Sequence, residues 1–347
     1  MNQTRAFWIT APGRGEIRAA TVGDPGPGEL RVRTLFSGIS RGTESLVFQG
    51  RVPESQWDEM RAPFQEGEFP GPVCYGYQNV GRVDAVGEGV DPRLWGRAVF
   101  CLFPHQEAYL VPAGAVTPLP QGLPPSRAVL TANMETAVNA LWDAAPSVGD
   151  RIVVIGAGVV GLLIARLCRR IPGTRVNLVD PAQERREVAE RLGLPLVTSP
   201  NRLPNPAREA DLVFHASGNP AGLEGALDLL GAEGTLVEVS WFGNRPVSLP
   251  LGGNFHSRRL TIRSSQVGRI PPHRTARWDH RRRMELALRL LAGDPDLDGL
   301  VSGESPFRDL PTVMARIAAG DDPGVLCHRI RYEANQGEVV PVTPPQP

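Results

Sequence analysis

The sequence predicts an α/β protein in which a β-rich portion is joined to a doubly wound parallel sheet. Three observations predict it. The apolar, β-branched run Ile152–Ile155 leads directly into Gly156-Ala157-Gly158-Val159-Val160-Gly161. Further apolar runs at Val176–Val179, Leu212–His215 and Thr235–Val239 alternate with stretches of helical spacing. That alternation belongs to parallel strands with crossover helices. Before about residue 134 the pattern differs: Ile17–Val22, Glu29–Ser37, Gln78–Val86 and Arg97–Leu102 are short runs separated by Gly and Pro, as in a turn-rich β portion.

The glycine segment sits between a strand and a stretch, Leu162 to Arg170, with Leu, Ile and Ala at helical spacing. The next strand ends on Asp180. Strand, G-x-G-x-x-G, helix, strand and acid form the dinucleotide-binding fingerprint. In it Gly156 permits the tight turn, Gly158 lets the backbone approach a pyrophosphate, and Gly161 lets the helix pack closely on the strand. The phosphates then meet free N–H groups at the helix start, those of Val159 and Val160 among them. Asp180 stands where a carboxylate accepts hydrogen bonds from ribose hydroxyls and repels a 2′-phosphate, so NAD is expected over NADP. Arg185 and Arg186 follow closely and weaken that preference; otherwise they are a solvated helix start.

The chain has 347 residues, enough for two domains, and 37 basic residues balance 37 acidic ones. Net charge therefore points to neither a nucleic-acid nor a membrane partner. There is no apolar run of membrane-spanning length and no basic-then-apolar leader, so a soluble cytoplasmic protein is expected. Cys74, Cys101, Cys168 and Cys327 are scattered, without C-x-x-C spacing, and support neither a disulfide framework nor a structural metal cluster. A helix is expected over Met284–Leu291. The Pro-rich tail from Gly337 is expected to be loose.

Gly38-Ile39-Ser40-Arg41-Gly42-Thr43-Glu44, Gly76-Tyr77-Gln78-Asn79-Val80-Gly81-Arg82-Val83 and Val86-Gly87-Glu88-Gly89-Val90 precede Ala132–Ala140 and the glycine unit. This order resembles the medium-chain dehydrogenase/reductase superfamily, of the alcohol dehydrogenase type, over nearly the whole chain. The resemblance implies a GroES-like β-rich catalytic domain, residues 1–133 and 265–347. It also implies a Rossmann domain, residues 134–264, with nicotinamide and substrate in the cleft between them. It places Thr136 against the nicotinamide, the Ser240-Trp241-Phe242-Gly243 turn at its carboxamide, and Ser217 in the cofactor site.

The departures from the family pattern carry more information. Where zinc-dependent members have a cysteine ligand, this chain has Ser40 or Arg41, with one extra residue. Where they have Gly-His-Glu it has Gly76-Tyr77-Gln78, and the third ligand slot holds Ala132. The four-cysteine zinc loop is missing. Zinc needs thiolate, imidazole or carboxylate donors at about 2.0–2.3 Å, so no metal is expected. The same motifs resemble the branch containing bacteriochlorophyllide hydroxyethyl dehydrogenase, which implies oxidation of a secondary alcohol on a bulky substrate.

Without zinc, a hydrogen-bonding group must handle the substrate proton. Tyr77 occupies a ligand slot and suits donation to a carbonyl oxygen; alternatively it fills the space left by the metal. Thr43 stands at the family's proton-relay hydroxyl, or caps a turn. Glu135, beside Thr136, is a candidate base, or a carboxylate settled at a helix start. His105, in a loop, is a further candidate, or a solvated side chain. Ser40 and Arg41 are candidate substrate contacts; Arg41 could hold a substrate anion or pair with Glu44. The basic run Arg277–Arg283 is either a solvated helix start or a patch for an anion.

The function expected is a zinc-independent, NAD(H)-dependent interconversion of a secondary alcohol and a ketone on a small-molecule substrate. The alternatives are a quinone or enoyl reductase of the same superfamily and a non-catalytic NAD(H)-binding protein. A homodimer is expected, as superfamily members often pair through the nucleotide-domain sheet edge. The apolar run Leu249–Leu251 lends it weak support.

Overall fold

The computed structural model describes residues 2–204 and 209–333. The tail from Gly337 lies outside the described residues. Three sheets form, and the chain passes through them in order. The β-rich part begins with β1 (Asn2–Ala11), β2 (Arg14–Val22) and β3 (Glu29–Ile39), followed by the helix α1 (Arg41–Phe48). Next come β4 (Glu66–Gly67), β5 (Val73–Cys74), β6 (Asn79–Val86), β7 (Ala98–Cys101), β8 (Ala108–Pro112) and β9 (Val116–Pro118). The short helix α2 (Pro125–Ala128) and the longer α3 (Thr131–Ala144) lead to the second part.

That part contains β10 (Arg151–Ile155), α4 (Val159–Arg169), β11 (Arg175–Val179), α5 (Arg186–Arg191) and β12 (Leu196–Val197). It continues with β13 (Ala210–His215), α6 (Pro220–Ala226), β14 (Leu230–Glu238) and β15 (Thr261–Ser264). The last segment adds α7 (His280–Ala292), β16 (Val301–Pro306), α8 (Leu310–Ala319) and β17 (Cys327–Arg331).

The second part is an all-parallel sheet in the order β12-β11-β10-β13-β14-β15. Its central strands carry continuous apolar runs, Ile152–Ile155 and Leu212–Phe214, because both faces are covered. Ile152 and Val154 of β10 enter one buried cluster with Leu162, Leu163 and Leu178. Val153 and Ile155 enter another with Val213, Leu223 and Leu236. The strand order reverses between β10 and β13, which opens a crevice at the C-terminal ends of those strands, where α/β sheets bind ligands.

The β-rich part has a four-stranded sheet, β2-β1-β5-β4, and a seven-stranded one, β16-β17-β3-β6-β7-β9, with β8 also on β3. The C-terminal strand β17 returns to β3, pairing His328 with Ile39 and Arg331 with Phe36. The sequence runs at Glu29–Ser37, Gln78–Val86 and Arg97–Leu102 correspond to β3, β6 and β7. Those at Ile17–Val22 and Met284–Leu291 fall inside longer elements, β2 and α7. Strands β1, β16 and β17 were not marked by clear runs. Among the described residues no helix is long and apolar enough to cross a membrane.

Candidate active site and cofactor cleft

At the start of α4 the glycine turn has the form the sequence requires. Gly156 has φ +103, and a Cβ there would lie 2.7 Å from the Ser217 backbone nitrogen. A Cβ on Gly161 would lie 1.9 Å from the Gly156 oxygen, so helix and turn touch. Around Gly158 the space is open, the Arg185 Nη1 being 4.0 Å from such a Cβ. Gly158 is the N-cap and supplies no side chain to the first helical N–H groups. An uncapped 11-residue helix beside an open glycine is a ready phosphate site. The residues therefore fit a dinucleotide.

Asp180 follows β11 at this turn. Its Oδ2 accepts the Ala157 N–H at 2.7 Å and its Oδ1 the Ala182 N–H at 2.8 Å. Each oxygen retains acceptor capacity. Arg185 is buried and donates to the carbonyls of Ala157 and Pro323, each at 2.8 Å. Arg41 donates to the carbonyls of Val325 at 3.1 Å and Pro323 at 3.4 Å. Burial, then the Arg41 charge, pushes the Arg185 pKa down, although Asp180 opposes this. Arg41 thus stands beside Arg185 and does not pair with Glu44. Among the described residues neither arginine has a carboxylate within ion-pair distance. Arg185 is no solvated helix start.

Two of the positions that the resemblance aligns with metal ligands, Ser40 and Tyr77, stand near one another. Ser40, buried, is the N-cap of α1, and the Ser40 and Thr43 hydroxyls and the Glu44 carboxylate stand near enough to the Tyr77 phenol to act on its pKa. Burial, and next the Glu44 charge, push the Tyr77 pKa well up; the two hydroxyls oppose this. The phenol therefore stays protonated and can donate. The set does not fit zinc: hydroxyls and a neutral phenol replace the soft or anionic donors that zinc takes. Among the described residues no group of three or more His, Cys, Asp and Glu is placed to hold a metal.

His105 is 1 % exposed, not solvated in a loop. Its Nε2 is 2.8 Å from Glu44 Oε2 and its Nδ1 is 2.7 Å from Ser37 Oγ, which lies 2.9 Å from the Tyr332 hydroxyl. The other Glu44 oxygen accepts the Ser40 N–H at 2.7 Å. Both imidazole nitrogens are thus engaged, and His105 acts on the Tyr77 cluster through Glu44 and Ser40.

Glu135 is corrected as a free base: its Oε1 receives Arg283 Nε at 3.0 Å, with both side chains buried. Burial raises its pKa and the Arg283 charge opposes the rise. Arg283 also bonds Asn139 and the Val267 carbonyl. The basic run is thereby split. Arg283 is interior, and Arg282 stacks over Trp278, 4.1 Å from the ring centroid. Asp279 caps α7 through the Arg282 N–H at 2.7 Å.

Thr136 is half-buried on α3 and returns its hydroxyl to the Ala132 carbonyl at 2.9 Å. The turn after β14 reaches the β-rich part, Trp241 Nε1 donating to Gln56 Oε1 at 3.2 Å. Phe242 lies parallel to the His215 ring, centroids 6.0 Å apart. Ser240 donates its N–H to Glu238 at 2.6 Å, and Ser217 bonds His215 at 2.6 Å. His215, Glu238, Ser37 and Tyr332 escaped the sequence reading. The available signal was a His and a Glu each directly following an apolar pair or triplet, Leu212–Phe214 and Leu236–Val237.

Comparison with known proteins agrees with the fold. A family model described as zinc-binding dehydrogenase matches residues 159–284. The D-guloside 3-dehydrogenase of Escherichia coli K12 is 25% identical over 280 residues, 75% of this chain and 80% of that protein. The chain is thus similar to medium-chain alcohol dehydrogenase-like proteins. Solved structures of this alcohol dehydrogenase-like kind share its fold. The 2R,3R-butanediol dehydrogenase of Bacillus subtilis superposes with TM-score 0.75 at 19% identity, covering 94% of this chain and 99% of that one. A zinc-binding dehydrogenase from Sinorhizobium meliloti 1021 bound to NADP gives TM-score 0.76 at 19% identity, covering 95% and 100%. The family match begins at Val159, beyond Ser40, Tyr77 and Ala132, and so does not bear on the metal slots.

Proposed function

We propose that this alcohol dehydrogenase-like oxidoreductase interconverts a secondary alcohol and a ketone with NAD(H), without zinc, using Tyr77 as hydrogen-bond donor to the substrate oxygen. The feature that supports the reading is the placing of the Tyr77 phenol near the Ser40 and Thr43 hydroxyls, with Ser40 and Tyr77 at positions that the resemblance aligns with metal ligands. Bound NAD supplies the hydride acceptor, or NADH the donor. Tyr77 polarises the carbonyl oxygen in reduction, and its raised pKa keeps the proton available at neutral pH. Ser40 and Thr43 orient the phenol. Glu44, fixed by His105 and the Ser40 N–H, keeps a negative charge nearby that opposes loss of the Tyr77 proton.

On the cofactor side, the uncapped start of α4 faces the phosphates, and Asp180 favours a free ribose over a 2′-phosphate. Arg41 and Arg185, two cations bound to carbonyls beside the glycine turn, suit the pyrophosphate. This moves Arg41 from the substrate to the cofactor. The cleft lies between residues 134–264 and the β-rich remainder. The E. coli relative acts on a sugar derivative, which makes polyols and sugar derivatives the substrates to try first. The test is a screen of secondary alcohols, following NADH absorbance with and without a chelator. NADH formation that survives the chelator supports the reading; activity that vanishes with the metal rejects it.

A further inference from the structure

The chain has equal numbers of basic and acidic residues, but two surface segments separate the signs. Residues 269–282 carry Arg269, Arg274, Arg277, Arg281 and Arg282 against one carboxylate, Asp279. Residues 54–68 carry Glu54, Asp58, Glu59, Glu66 and Glu68 against one cation, Arg61. All of these residues are exposed except Arg274 and Arg61, which are half-buried. Little within the chain neutralises either segment. Asp279 is engaged as the N-cap of α7. Among the described residues the basic segment forms one ion pair, Arg281 with Glu285 at 3.5 Å, and the acidic segment one, Arg61 with Glu68 at 2.6 Å. Four arginines and four carboxylates are left without an ion-pair partner among the described residues.

Both segments are held in place and present aromatic surface. The Arg274 guanidinium lies 5.4 Å from the Trp142 ring centroid and that of Arg282 4.1 Å from Trp278, the two rings being 4.8 Å apart. Arg282 also donates to the Arg277 carbonyl. Side chains fixed in this way lose less freedom when a partner docks. In the acidic segment Phe64 has φ +59, a backbone that a bulky side chain rarely adopts. It stays 39% exposed although its ring stacks on Phe103. Arginine and aromatic side chains are the ones enriched where proteins meet.

The matched pair of segments selects the occupant. A small anion or a nucleic acid would answer the basic segment and leave the acidic one unexplained. A second copy of this chain answers both. With no net charge on the chain, two copies do not repel each other at long range. We propose that residues 269–282 of one copy dock on residues 54–68 of another, arginines against carboxylates. Gln56, in the acidic segment, accepts Trp241 Nε1 from the turn after β14. The docked copy therefore lies against the join between the parallel-sheet part and the β-rich part. The contact uses other residues than the edge of the parallel sheet and does not depend on the cofactor reading.

Sedimentation velocity at micromolar concentration tests it. Exposed ion pairs are individually weak, so the contact is read where screening is least. That is about 0.01 M salt, with a screening length of about 30 Å, against about 1 M, with about 3 Å. Wild type should sediment as a heavier species at low salt than at high salt. Arg269→Glu with Arg277→Glu should abolish the heavier species, and so should Asp58→Arg with Glu59→Arg. Arg14→Glu with Arg202→Glu, the same change of net charge at exposed sites outside both segments, should not. The variant with all four changes in the two segments restores opposite signs and should recover the heavier species. Circular dichroism checks that each variant is folded. Equal mass at both salt concentrations in wild type overturns the inference. So does wild-type association in either segment variant, loss of association in the Arg14 and Arg202 control, or no recovery in the folded fourfold variant.

Discussion

Glu44 and His105 form a buried pair, Oε2 to Nε2 at 2.8 Å, with each side chain 1 % exposed. They come from α1 and from the loop before β8, 61 residues apart. The pair has room because residue 76 is glycine: a Cβ there would lie 2.8 Å from His105 Cδ2. It links Ser40, through the Ser40 N–H, to Ser37 of β3 and to Tyr332, the residue after β17.

Removing one member should leave the other without its partner in the interior. His105→Ala is expected to lower unfolding free energy by about 3–5 kcal/mol, read from urea denaturation. Gly76→Ala should also destabilise, by displacing the same ring. Wild-type stability in His105→Ala would show that Glu44 finds another donor.

Tyr77→Phe removes one hydroxyl and keeps the ring. Turnover should fall about 10²–10³-fold, the loss of one preorganised donor, with NADH affinity unchanged. The raised phenol pKa also carries a sign. A donor is present below its pKa, so any alkaline fall in ketone reduction caused by Tyr77 should lie above the usual phenol value of about 10. Full activity in Tyr77→Phe would leave the tyrosine as packing.

Glu135→Gln separates stability from catalysis. It strands the buried Arg283 charge and should cost about 3–5 kcal/mol in denaturation. Turnover of the folded variant should stay near wild type. A large fall in turnover with little change in stability would restore Glu135 as a base.

NAD(H) should bind at least about tenfold more tightly than NADP(H), a difference of about 1.4 kcal/mol. Asp180→Ser should narrow the gap, as fluorescence titration would show. It should also loosen the glycine turn, because Asp180 holds the Ala157 N–H. A wild-type preference for NADP(H) would mean that Arg185 outweighs the carboxylate.

The open edge of the parallel sheet at β15 offers a route to a homodimer. Light scattering at micromolar concentration should give twice the chain mass, and a monomer would remove that expectation. Leu249 is partly buried against a core cluster while Leu251 is 46% exposed, so the run singled out in the sequence supplies only part of such a surface.

The sequence by itself determined what depends on neighbours along the chain. Ile152–Ile155 must be a strand buried on both faces, and a turn at φ +103 must carry glycine, so β10, the glycine turn and α4 were legible directly. Tyr77 and Thr43 were singled out by their place in motifs that resemble a family's, and their role is a proposal. Tertiary structure decided the pairings between distant segments. Glu135 reads as a free acid until α7 brings Arg283 against it from 148 residues away. His105 reads as a solvated loop residue until Glu44 and Ser37 close on it. His215 and Glu238 meet only because β13 and β14 lie side by side and end at the same level. Local spacing records backbone conformation and which face is apolar. The partner of a buried charge depends on how strands and helices are ordered in space, which no short stretch of sequence contains.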